Sequence, residues 1–135
     1  MITGLSHVSI VVPNLEAAAR ELEAKYRLKI GAIKVNEEQG VRMAYVQLSN
    51  ARIELMEPSG DESPVAKFLQ RNPHGGIHHF SLEVDDMVST KGEIERQGTR
   101  LLGDGNQKNV DGEKIAFVHP RDFLGALVEL EEHGH

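Results

Sequence analysis

Two histidines and two glutamates occupy matched places in two copies of one pattern. Gly4-Leu5-Ser6-His7-Val8-Ser9-Ile10-Val11-Val12 returns 72 positions later as Gly76-Ile77-His78-His79-Phe80-Ser81-Leu82-Glu83-Val84, with Gly, His, Ser and Val in register. Glu54 and Glu129 are paired in the same way, within Ile53-Glu54-Leu55-Met56-Glu57 and Val128-Glu129-Leu130-Glu131-Glu132, at an offset of 75. Two imidazole nitrogens and two carboxylate oxygens suit a borderline-hard divalent cation in a six-coordinate shell, with two positions left open. Taken singly, each residue has a plainer reading: a strand histidine is commonly just hydrogen-bonded or exposed, and Glu54 could lie on a solvated face. Pairing by the repeat is what makes His7, Glu54, His79 and Glu129 a set.

The elements that must position them follow from periodicity. Residues 5–12 alternate as a strand closed by Pro13, and Asn14 caps a helix whose Leu15, Ala18, Ala19, Leu22 and Tyr26 recur at helical spacing. Strands are predicted over 28–36, 41–48 and 52–57. Ser63-Pro64 then opens a short helix carrying Val65, Phe68 and Leu69. His74-Gly75-Gly76 reads as a flexible entry to strand 77–84. Asp85-Asp86 caps a third helix ending at Gly98, Leu101-Leu102 is a short strand, and 103–112 is a polar loop. The last strands are predicted over 114–119 and 124–131. Each copy is strand-helix-strand-strand-strand, at about 4–57 and 76–132, joined by a short helical linker over 58–75. The expected architecture is α+β, one domain of two tandem βαβββ modules, with half-sheets facing each other because each alone leaves one sheet face uncovered.

Bulk properties narrow the function. The net charge is −6 with no basic block, which disfavours nucleic acid, and an aromatic content of 4% offers few stacking platforms for bases. No cysteine is present, so disulfides, thiolate metal sites and a cysteine nucleophile are excluded. The apolar runs fall far short of the ~18 residues that span a membrane. A strand pattern within four residues of Met1 leaves no room for a signal peptide, so the expected setting is cytoplasmic.

The double βαβββ pattern, with His early and Glu late in each copy, resembles the vicinal oxygen chelate superfamily. Three stretches are similar to the methylmalonyl-CoA epimerase family within it: Gly75-Gly76-Ile77-His78-His79, the segment from Asp61 to Leu69, and the run from His119-Pro120-Arg121-Asp122 to Gly125-Ala126-Leu127-Val128-Glu129-Leu130-Glu131. The resemblance implies one divalent ion per chain (cobalt, manganese, nickel or similar) on His7, Glu54, His79 and Glu129. It also implies removal and return of the proton α to the thioester of methylmalonyl-CoA. The dication would stabilise the developing enolate, with Glu129 as the base.

Some members of that family carry a glutamate where Met43 stands, and methionine cannot move a proton, so the second acid/base is unassigned. Tyr45, Gln47, Phe117 and His119 share the relevant strand faces. His119 has a suitable intrinsic pKa but also opens the His-Pro turn, and a water or Glu54 could serve instead. Lys108, Lys114, Arg121 and Arg42 are available to coenzyme A phosphates, with none singled out. His78 should point away from His79, and His74, His133 and His135 should face solvent. A homodimer is the family-like expectation. The rival enzyme is a glyoxalase I-type lyase using the same four ligands. An extradiol dioxygenase would use two His and one Glu, and a metal-free resistance-type binding module would lack the four ligands altogether.

Overall fold

The computed structural model describes residues 1–103 and 106–133. Its strands are β1 (Ile2–Val11), β2 (Lys34–Asn36), β3 (Val41–Gln47), β4 (Arg52–Pro58), β5 (Gly76–Val84), β6 (Leu101–Leu102), β7 (Ile115–Val118) and β8 (Val128–Glu132). Its helices are α1 (Leu15–Tyr26), α2 (Pro64–Arg71) and α3 (Met87–Arg96). Strand order in the sheet is β2-β3-β4-β1-β5-β8-β7-β6. The chain divides into two compact units, Val8–His78 and Met1–His7 with the chain from His79 onward. These units do not coincide with the sequence copies, because β1 gives its first residues to one unit and its last to the other.

In the Val8–His78 unit, Asn14 is extended (φ −146°, ψ 113°) and its side chain accepts from Ala17 N at 2.8 Å, the geometry of an N-cap. Leu15 packs with Ala44, Val46 and Leu55, and Leu15 N also donates to Glu57 Oε1 at 3.0 Å. Arg42 bonds Glu57 Oε2 at 2.6 Å and Glu16 Oε2 at 2.5 Å, tying α1 to β3 and β4. β3 and β4 are antiparallel, with Met43 opposite Met56 and Tyr45 opposite Glu54.

The strand predicted over 28–36 is confined to Lys34–Asn36. Arg27 ends α1 in the left-handed region (φ 57°), and Leu28 N turns back to Leu22 O. Ile30 makes only an isolated bridge to Val46, and Gly31 N donates to Tyr45 O at 2.9 Å. Ser63 and Pro64 start α2 as expected, Ser63 Oγ accepting from Val65 N at 3.2 Å. Gly75 is a fixed joint in this unit: it has φ +87°, and a Cβ there would stand 2.3 Å from Val11 O.

The other unit repeats the same devices. Asp86 caps α3 at φ −145°, ψ 112°, and Glu132 Oε2 accepts from Met87 N at 2.7 Å, as Glu57 does for Leu15. Val84, Met87, Ala116, Val118, Val128 and Leu130 form its core, with Phe80 and Leu82 against it. β8 runs parallel to β5, with Ser81 opposite Glu129, and antiparallel to β7, with Phe117 opposite Glu129. Strand alternation therefore sends Val128 and Leu130 to the helix-covered face. Glu129 and Glu131 go to the opposite face, along with His79 and Ser81.

β8 begins at Val128, later than the predicted 124. Pro120–Asp122 forms a 3₁₀ turn, and Leu124 (φ 57°) and Gly125 (φ 90°) reverse the chain. The predicted loop over 103–112 includes two positions outside the described residues. Among the described residues no helix is long and apolar enough to cross a membrane.

Candidate metal centre

His7, His79 and Glu129 belong to one unit, and all three are buried. His7 stands where β1 leaves that unit, and His79 where β5 enters it. His7 Nε2 lies 3.4 Å from Glu129 Oε1. The two imidazole rings are 6.0 Å apart between centroids and steeply inclined, and His79 also meets the Phe117 ring edge-on at 5.6 Å. Burying a carboxylate is costly unless it is paired, hydrogen-bonded or bound to a metal. Neighbouring donors on a cation with bonds of about 2.1 Å stand about 3 Å apart, and the spacing from His7 to Glu129 is of that order. This donor set fits a divalent ion.

Glu54, the fourth residue of the predicted set, lies on β4 in the other unit. It is largely buried, and Ser9 Oγ donates to its Oε1 at 2.5 Å. On the neighbouring strand Tyr45 stands opposite it, with the Arg52 guanidinium 3.9 Å over the Tyr45 ring. Met43, at 1% exposure, is paired across the ladder with Met56.

Glu131 also reaches this face. Together with His7 and Glu129 it forms a buried cluster whose ligand atoms lie within 4.8 Å of one another. Its oxygens are nonetheless engaged elsewhere: Oε1 accepts from Ser6 Oγ at 2.7 Å and lies 2.8 Å from His133 Nε2, and Oε2 accepts from Asn109 Nδ2 at 3.0 Å. Burial pushes the Glu131 carboxyl up. The Ser6 hydroxyl, the His7 imidazole, Asn109 and His133 more than offset that and hold it below the ordinary carboxylate value.

Sequence reasoning missed Ser6, Asn109 and Glu131. The available signal was alternation, which puts Glu131 on the same face as Glu129, two residues along a strand that is otherwise core.

The remaining histidines sort as follows. His78 packs edge-on to Phe68 at 5.3 Å and joins no ligand cluster among the described residues. Burial holds it below the ordinary histidine value. His74 is exposed, as expected. His133 is not solvent-facing as predicted: it is partly buried, held by Glu131 and close to Glu83 and Glu113. His135 lies outside the described residues. His119 Nδ1 accepts from Arg121 N at 3.0 Å, which is the capping role its His-Pro turn suggested. Arg42, named from the sequence among the cations for coenzyme A, is engaged by Glu16 and Glu57.

The family model for the glyoxalase/bleomycin resistance protein/dioxygenase superfamily matches residues 6–117. The chain belongs to that superfamily, and its fold is the vicinal oxygen chelate fold. It is 43% identical to the ethylmalonyl-CoA/methylmalonyl-CoA epimerase of Cereibacter sphaeroides over 98% of this chain and 99% of the relative. It is 40% identical to the human mitochondrial methylmalonyl-CoA epimerase, over 95% of this chain and 73% of the relative. A solved Streptomyces coelicolor methylmalonyl-CoA epimerase variant, in complex with 2-nitronate-propionyl-CoA, superposes with a TM-score of 0.92 at 30% identity and covers the whole of both chains. Within the superfamily, the chain is a member of the methylmalonyl-CoA epimerase family.

Proposed function

We propose that this protein interconverts the two epimers of methylmalonyl-CoA by removing and returning the proton on the carbon between thioester and carboxylate. The observation that carries the reading is a full-length likeness to epimerases in both sequence and fold, in a chain that buries His7, His79 and Glu129 together. His7, His79, Glu129 and Glu54 are the residues that would hold one divalent ion. When bound, that ion supplies electrostatic stabilisation of negative charge on the substrate's oxygens.

Glu129 is the base. Its carboxylate takes the α-proton as the C–H bond breaks, and the electron pair of that bond passes into the thioester carbonyl as an enolate. Return of a proton to the opposite face of the carbon gives the other epimer. Met43 does not deliver it, because its thioether carries no proton to transfer. His79 and Phe117, packed edge to face beside Glu129, narrow the space at the base and limit its access to water. Glu54 resembles Glu129 in burial and in place within the repeat, and Ser9 fixes one of its oxygens. The working form is proposed to be a cytoplasmic homodimer, in keeping with a cysteine-free chain and with sheet edges that invite a partner.

The test is incubation of a single epimer of methylmalonyl-CoA with metal-loaded protein in deuterated water. The expected result is conversion to a mixture of epimers carrying deuterium at the α-carbon. Recovery of the starting epimer without deuterium would overturn the reading.

A further inference from the structure

The buried polar chain behind His7 runs away from the face that meets Glu129. Ser6 Oγ stands 3.0 Å from His7 Nδ1 and donates to Glu131 Oε1 at 2.7 Å. A serine hydroxyl has one proton to give, and here Glu131 takes it. The oxygen of Ser6 therefore faces His7 as an acceptor, so Nδ1 must carry the imidazole proton. In the neutral ring the lone pair is then on Nε2, the atom 3.4 Å from Glu129. Glu131 is itself held on both oxygens, by Asn109 at 3.0 Å and by His133 at 2.8 Å. Asn109 is in turn anchored by Glu113, whose N–H donates to its Oδ1 at 2.9 Å.

We infer that Ser6 and Glu131 are positioning residues that lock His7 in the Nδ1–H tautomer and so hold Nε2 ready as a donor to a divalent cation. The arrangement has no counterpart in the other copy. The residues equivalent to Ser6 and Glu131 there are His78, which packs on Phe68, and the apolar Met56. One of the two repeat-related histidines is thus backed by a buried hydroxyl-carboxylate pair, which is a built asymmetry. The metal-facing half of the inference rests on the proposed function, whereas the tautomer itself does not.

The experiment is proton–nitrogen correlation NMR of histidine-labelled, metal-free protein, followed by competition for zinc against a chelating dye. In the parent protein His7 should show a protonated Nδ1 and a lone-pair Nε2. Ser6→Ala and Glu131→Gln should mix or invert that pattern at His7, leave His79 unchanged, and weaken zinc binding by about 10- to 100-fold. Ser6→Thr, which keeps the hydroxyl, should restore both readouts, and it still tests the inference if Glu131→Gln fails to fold. A parent His7 protonated on Nε2, or variants that leave its tautomer and zinc affinity unchanged, would overturn the inference. The tautomer is read without metal or substrate, so a protein lacking epimerase activity would still pass or fail this test independently.

Discussion

Ser9 with Glu54 and Ser81 with Glu129 are the same pair of residues by the internal repeat, and they behave differently. Ser9 donates to Glu54, fixing one carboxylate oxygen. Ser81 is equally buried and stands opposite Glu129 in the ladder, yet its hydroxyl has no hydrogen-bond partner among the described residues. Glu129 turns instead toward His7. Duplication supplied two equivalent scaffolds, and the two carboxylates have diverged within them. Under the proposed function, the one held by a serine would serve only as a ligand, and the other would also take a proton.

The largest effect should separate the two glutamates. Glu129→Gln is expected to lower α-proton exchange by about 10²- to 10⁴-fold, the usual contribution of a general base. Glu54→Gln keeps a ligating oxygen that Ser9 can still bond, and should cost about tenfold or less, an expectation based on metal-site neighbours. Equal losses, measured as deuterium uptake by substrate, would erase the distinction.

The serines should differ in stability. Ser9→Ala leaves a buried carboxylate oxygen without its donor and should cost about 1–3 kcal/mol in denaturant unfolding. Ser81→Ala removes a buried hydroxyl with no hydrogen-bond partner among the described residues, and should be neutral or slightly stabilising. A large loss at Ser81 would show that it does hold Glu129.

A smaller difference separates Ser6 from its counterpart His78. Burial keeps His78 below the ordinary 6.5, so the unfolded chain binds more protons than the native protein as pH falls through and below that value. Its contribution to stability is therefore full above pH 6.5 and is lost on acidification. His78→Phe should flatten this part of the stability–pH curve, and an unchanged slope would contradict the assignment. The smallest effect is expected at Met43: Met43→Leu keeps a buried apolar side chain opposite Met56, and turnover should stay near that of the parent.

The features legible in the sequence were those the repeat preserved. Identical offsets marked His7 with His79, and Asn14 and Asp86 announced two helix starts whose cap geometries agree within a degree. What the repeat does not preserve was hidden. Ser6, Asn109 and Glu131 have His78, Glu37 and Met56 as counterparts, so comparing the copies passes over a network that exists in only one of them. Backbone reversals were also invisible. Arg27 and Leu124 take positive φ without being glycine, and each shortens a strand that β-propensity had extended. His133 was read as exposed because nothing local to the chain end signals a buried carboxylate beside it.

His7, Glu54, His79 and Glu129 are proposed to bind one divalent ion per chain. Titrating metal-free protein with cobalt, followed by visible absorption and by metal analysis after gel filtration, tests this most directly. The expected result is saturation at one cobalt per chain, the weak absorption of a six-coordinate oxygen and nitrogen site, and loss of binding in His79→Ala. Failure to retain cobalt, or retention unchanged in His79→Ala, would contradict it.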